Sequence, residues 1–96
     1  MKGADVNDFI DHTTFEECAV VYKGVKYFFH GLIFDRNKKE YSYAIDIWDS
    51  KGDCVKRVFN KTATTSQKCM ELAQNEPIFE GKSFWEAEPD MEWVEW

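Results

Sequence analysis

The stretch Tyr41-Ser-Tyr-Ala-Ile-Asp-Ile-Trp48, read together with Val25-Lys-Tyr-Phe-Phe-His-Gly-Leu-Ile-Phe34 before it, decides the fold. In the later segment Tyr41, Tyr43, Ile45 and Ile47 share one parity, while Ser42, Ala44, Asp46 and Trp48 share the other. Successive side chains of a strand point to opposite faces, so this split marks a strand with one face on a core and the other towards water. The earlier segment divides differently. Val25, Tyr27, Phe29 and Ile33 oppose Lys26, Phe28, His30, Leu32 and Phe34, and both sets are apolar. That pattern predicts a central strand over residues 25–34, covered on both faces.

Working outward, residues 17–22 are rich in β-formers and lead into Lys23–Gly24, a tight-turn signal because Gly tolerates positive φ. Polar turns at residues 35–39 and 49–53 separate the two decisive strands from each other and from a fourth at residues 54–59. Consecutive strands joined by short turns favour an antiparallel meander, here four-stranded. A helix is predicted over residues 65–75. Thr64 and Gln67 have capping-box spacing; Cys69, Leu72 and Ala73 form an apolar stripe with Met70 beside it; Asn75 suits the C-terminal cap and Pro77 forbids continuation. This helix should cover the Tyr41/Tyr43/Ile45/Ile47 face. A short N-terminal helix over residues 5–11 would place Val6, Phe9 and Ile10 on one side. The fold class is therefore α+β: a four-stranded antiparallel meander with one helix packed on a face and an acidic, aromatic C-terminal segment. Ninety-six residues leave room for one domain, residues 1–96, and no internal repeat or Gly/Ser linker divides it.

Several function classes find no support. The first eleven residues lack the basic start and long apolar run of a secretory leader, and the longest apolar stretch, residues 25–34, is too short for a membrane span. Three widely spaced cysteines, Cys18, Cys54 and Cys69, are odd in number and read as free thiols in a reducing, cytoplasmic setting. With no Cys-x-x-Cys and only His12 and His30 as imidazoles, no metal-ligand spacing is present; the five glycines do not cluster into a phosphate loop. A Cys54–His30 pair on neighbouring strands is the one nucleophilic candidate, against plainer roles as a small core residue and a hydrogen-bonded strand residue. The carboxylate pairs Glu86/Glu88 and Asp90/Glu92 suggest acid–base work or divalent-ion binding on spacing alone. No calcium-loop pattern accompanies them, and a solvated charge run is the plainer reading. The expectation is a binding protein rather than an enzyme, with no cofactor and no metal.

Charge then locates the candidate site. Residues 1–75 hold eleven acids and eleven bases, whereas residues 76–96 hold seven acids against Lys82 alone, so the whole net charge of −6 falls on the last 21 residues. There Phe79, Phe84, Trp85, Trp93 and Trp96 alternate with acids, and Pro89 splits the segment. Tryptophans bury much area with few rotors, and acids steer a segment to basic surfaces. A basic protein surface is often one built to hold nucleic acid, so an acidic rim with aromatic anchors can compete with a polyanion for it. The candidate partner-binding residues are Glu80, Glu86, Glu88, Asp90, Glu92, Trp93, Glu95 and Trp96, and the implied partner is a basic, nucleic-acid-handling protein. In the plainer alternative Phe84, Trp85 and Trp93 close the second face of the sheet and the acids merely face water. Two rival functions stand beside the acidic binder. One is a small adaptor domain using the same tail. The other is a sheet that stacks bases and meets phosphates through Lys26, Arg36, Lys38, Lys39, Lys56 and Arg57, which the net charge disfavours.

The stretch Ile78-Phe-Glu-Gly-Lys-Ser-Phe-Trp-Glu-Ala-Glu-Pro-Asp-Met-Glu-Trp93 resembles the endings of short proteins carried on bacterial plasmids, conjugative elements and phages. The whole-chain profile of a small, acidic, single domain without a catalytic motif is similar to anti-CRISPR proteins. That resemblance implies inhibition of a CRISPR effector nuclease, with the acidic surface blocking the basic channel that takes guide or target, or the groove that reads the short motif beside the target. Anti-CRISPR proteins share no common motif, so no residue role follows from it.

Overall fold

The computed structural model describes residue 1 and residues 5–94. Helix α1, Val6–Phe15, starts where the Asp5 carboxylate accepts the Asn7 amide, and it runs a turn past the predicted residue 11. Two threonines permit the extension. Thr14 donates its hydroxyl to the Ile10 carbonyl at 2.7 Å, and the buried Thr13 hydroxyl pairs with that of Tyr43. The Thr13 hydroxyl is thereby satisfied away from the helical backbone, and that of Thr14 shares a carbonyl the helix already uses without breaking it. Strands β1, Cys18–Tyr22, and β2, Val25–Phe29, form a hairpin around Lys23 and Gly24, at φ 49° and 77°. Two successive positive φ angles match the right-handed twist of the strands they join.

The long strand predicted over residues 25–34 is broken. Gly31, at φ 81°, ends β2, and β3, Ile33–Asp35, begins after it. The break is where α1 docks. A Cβ on Gly31 would stand 3.1 Å from the Glu16 carbonyl oxygen, and the Leu32 amide donates to the Thr14 carbonyl at 3.1 Å instead of to a strand. Strand β4, Glu40–Trp48, therefore meets β3 and β2 in succession along one edge, with β5, Cys54–Ala63, along the other. β5 outruns its predicted end at residue 59 because its pairing with β4 continues to Tyr41↔Ala63, past irregularities in register near Asp46 and Trp48. Helix α2, Ser66–Asn75, is capped by Thr65, whose hydroxyl accepts the Lys68 amide at 3.2 Å. Thr64 and Gln67 are thus one position out of place for a box.

The C-terminal segment is folded. Helix α3, Phe84–Ala87, opens on a capping box between Ser83 and Glu86; a 3₁₀ turn, Glu88–Asp90, accommodates Pro89; and β6, Glu92–Val94, pairs antiparallel with β1. The sheet reads β5-β4-β2-β1-β6, with β3 sharing the β2 edge of β4, all neighbours antiparallel. The α+β class and antiparallel pairing agree with the sequence reading. The four-stranded meander with one helix becomes, among the described residues, six strands and three α-helices.

All three helices lie on one face of the sheet. Phe9 of α1, Cys69 and Ala73 of α2, and Phe79, Phe84 and Met91 of the C-terminal segment bury against Val20, Tyr27, Phe29, Tyr43, Ile45 and Phe59. The plainer alternative for the tail put Phe84, Trp85 and Trp93 on the opposite face. They fill the ground between α1 and α2 instead: Phe84 stacks on Phe9 at 5.8 Å between centroids, and Phe79 stacks on Phe29 at 6.0 Å. No layer of described residues covers the other face. Phe28 there is 3% exposed, with the rings of Trp48 and His30 at 4.7 and 4.6 Å among its neighbours. The cover expected for residues 25–34 does not extend to β3, where Ile33 is 60% and Phe34 49% exposed. Among the described residues no helix is long and apolar enough to cross a membrane.

Candidate acidic interaction surface

Residues 5–22 contain Asp5, Asp8, Asp11, Glu16 and Glu17 and no Lys or Arg. Tertiary packing brings that segment beside the acidic C-terminal one. Phe9 meets Phe84 and, at 5.4 Å, Trp93; His12 lies edge-on to Trp93 at 5.1 Å; the Met1 ammonium binds Glu88 at 2.6 Å. Residues 76–94 add six acids against Lys82. The bases that balance α1 in a linear tally lie elsewhere. Residues 33–63 carry seven bases and five acids, and they build β3, β4 and β5, the half of the sheet away from β6. The fold therefore brings the two acid-rich segments of the chain together and leaves the base-rich segment on the other half of the sheet, and a separated charge produces a directed field.

The predicted site residues divide by what they touch. Glu80, at φ 55°, is exposed and pairs with Lys23 at 3.3 Å. Glu86 is the returning half of the α3 capping box: its carboxylate accepts the Ser83 amide at 3.1 Å and its amide donates to the Ser83 hydroxyl at 3.3 Å. The Ser83 amide, then its hydroxyl, hold the Glu86 carboxyl below the usual range. Glu88 is committed to the Met1 ammonium. Asp90 and Glu92 face solvent. Trp93 is half-buried on the helix side of the sheet against Phe9, so it belongs to the packing rather than to a free surface. Glu95 and Trp96 lie outside the described residues.

Three exposed aromatics lie outside the predicted site: Phe15, Trp85 and, on the short β3, Phe34 at 49%. Trp85 is 45% exposed, because α3 turns its neighbour Phe84 inward. Phe15 is 83% exposed at the end of α1. The signal for it was the spacing Asp8, Asp11, Phe15, which continues the outer side of a helix whose inner side is Phe9 and Thr13, but the helix had been ended at residue 11. Asp11, His12, Phe15 and Glu16 line a shallow surface concavity.

The sheet face opposite the helices holds a second constellation. Asp46, expected to face water, is 2% exposed. His30 Nε2 lies 2.6 Å from its Oδ2, and Arg57 donates through Nε to Oδ1 at 2.8 Å and through Nη2 to Oδ2 at 3.4 Å. Burial pushes the Asp46 carboxyl up, but the hydrogen bonds and charges of Arg57 and His30 outweigh it and hold the carboxyl below its ordinary value. The proposed Cys54–His30 pair does not form. Cys54 sits opposite Trp48 at one end of β4, while the His30 amide binds the Ala44 carbonyl four residues along. Cys54 is exposed; Cys18 and Cys69 are buried thiols, and burial, with the charge of Glu16, pushes Cys18 up to about 11. A thiol so placed is a poor nucleophile. Among the described residues no three His, Cys, Asp or Glu side chains gather to hold a metal. No protein-family model, curated protein or solved structure matches the chain.

Proposed function

We propose that this protein acts by binding, presenting the acidic surface of α1 and the C-terminal segment to a basic, nucleic-acid-handling protein in the cytoplasm and obstructing that protein's nucleic-acid site. The most specific form of the reading, drawn from the resemblance to anti-CRISPR proteins, is inhibition of a CRISPR effector nuclease. The observation that carries it is the juxtaposition of the two most acidic segments of the chain on elements anchored by shared aromatic packing. Rigid placement matters because a surface that mimics a polyanion loses less conformational freedom on binding than a mobile tail would.

The test must spare acids that support the fold. Glu86 caps α3 and Glu88 holds the Met1 ammonium, so the informative variant is Asp11→Asn/Glu17→Gln/Asp90→Asn/Glu92→Gln. It is measured by surface kinetics against a panel of purified CRISPR effectors with their guides, at several salt concentrations. The wild type should bind one effector, compete with its target DNA, and lose on-rate with salt. The four-acid variant should associate more slowly with a flatter salt dependence. Identical kinetics for wild type and variant would sink the acidic-surface reading. A second reading, a sheet that binds nucleic acid directly, draws on Lys26, Trp48 and Arg57 lying on the sheet face opposite the helices. Low-salt titration with labelled single- and double-stranded oligonucleotides separates the two, since only the second predicts saturable binding.

A further inference from the structure

We infer that the outward face of α1 is the anchor of the acidic surface: Phe15, set among Asp11, His12 and Glu16, enters an apolar pocket of a protein partner whose rim carries Arg or Lys. The inference rests on the acidic-surface reading above and names where that surface grips. Phe15 is 83% exposed, the most exposed large apolar side chain among the described residues, and it lies on the same side of α1 as Asp8 and Asp11, opposite the buried Phe9 and Thr13. Residues three and four apart share a helix side, so Phe15 and Asp11 present together.

The end of α1 does not swing. The Glu16 amide donates to the His12 carbonyl at 2.7 Å, the Thr14 carbonyl accepts the Leu32 amide, and the Glu16 backbone packs against Gly31. The backbone on either side of Phe15 is thus tied to the sheet, so the ring is presented outward from a fixed point. An aromatic on an ordered backbone has only its two side-chain torsions to fix on binding, which suits an interface anchor. The neighbouring concavity has an aromatic wall, Phe15, and the carboxylates of Asp11 and Glu16; the His12 ring is positioned by Trp93 and lies 3.9 Å from Glu16. A guanidinium or ammonium seated there meets the ring face and carboxylate together.

Charge selects the occupant. With five acids and no Lys or Arg across residues 5–22, a second copy docked face to face would set carboxylates on carboxylates, and an anionic membrane would repel the same face. A basic protein surface is the complement.

The probe is a nona-arginine peptide titrated at low salt into the isotope-labelled full chain, read by amide chemical shifts. Shifts should cluster at residues 11–17 and extend to Asp90 and Glu92. Phe15→Ser should weaken binding at least fivefold, and Phe15→Tyr, which keeps the ring, should restore it. Both variants should melt with the wild type, because the side chain is solvated. Shifts at Asp90 and Glu92 without shifts at residues 11–17, or equal affinity for Phe15→Ser, overturn the anchor and leave the acidic surface standing. No shift anywhere overturns both. Concentration-dependent dimerisation of the wild type in sedimentation, abolished in Phe15→Ser, assigns the face to a second copy and also overturns the inference.

Discussion

At the scale of single residues, Asp46 and Gly31 each hold two parts of the fold together. Asp46 is a buried carboxylate of β4 bridging His30, just past the end of β2, and Arg57 of β5. Its folded pKa is depressed, so its contribution is fully present above the ordinary carboxylate value of about 4 and is lost as pH falls through the lower, folded value. Urea midpoints between neutral and strongly acidic pH should show that loss in the wild type. Asp46→Asn should show less of it, at a cost near neutrality of about 1–3 kcal/mol for the hydrogen bonds removed. A variant with the wild-type pH profile would mean the carboxylate is not the titrating brace. Gly31→Ala combines a left-handed backbone with a 3.1 Å approach to the Glu16 carbonyl, whereas Gly24→Ala, at φ 77°, meets nothing within 4 Å. Strain of this kind costs about 1–3 kcal/mol. Thermal melts should place Gly31→Ala clearly below Gly24→Ala; equal melting temperatures would show that α1 does not press on the break.

At the scale of elements, the question is whether the C-terminal segment is core or free surface. Phe79 is fully buried and Phe84 nearly so, and both stack on rings of the sheet or α1. Truncating either to Ala should cost about 3–5 kcal/mol by chemical denaturation, the range for large buried aromatics. Trp85→Ala, at 45% exposure, should cost clearly less, about 1–2 kcal/mol. If Phe84→Ala and Trp85→Ala lost the same stability, the inward and outward assignment of α3 would be wrong. The alternation of aromatics and acids in this segment was visible in the sequence, and it correctly marked a chain with an apolar and a polar side. Alternation alone does not say whether the apolar side meets the same molecule or another one, because both remove the same area from water.

At the scale of the whole molecule, the separation of charge is the property most open to measurement. Lys51 and Lys56 sit in and after the β4–β5 turn, on the half of the sheet away from β6. Lys51→Gln/Lys56→Gln should leave the on-rate for a basic probe unchanged or raise it, while the four-acid variant lowers it. Rates that followed net charge alone, irrespective of position, would show that the polarity of the fold has no role in encounter.

Local pattern determined much of this protein. Runs of β-formers and period-two alternation placed strands between residues 17 and 59, though not the break at Gly31 or the full length of β5; the Lys23–Gly24 turn followed from glycine's tolerance of positive φ, and a stripe of Cys69, Leu72 and Ala73 with Pro77 beyond it bounded α2 to within a residue. These are short-range effects of side-chain spacing and backbone sterics, and they are written in consecutive residues. Contacts distant in sequence decided the rest. Gly31 breaks a strand because a helix fifteen residues earlier presses on it; Asp46 is buried because His30 and Arg57 arrive from other parts of the chain; the tail fills the helix side because α1 and α2 leave room there. The acidic surface belongs to the same class. A running sum of charge over residues 1–75 is zero, and only the pairing of β6 with β1 and the packing of Phe9 on Phe84 and Trp93 set the acids of α1 beside those of the tail. Electrostatic fields depend on distances through space, which no linear count contains.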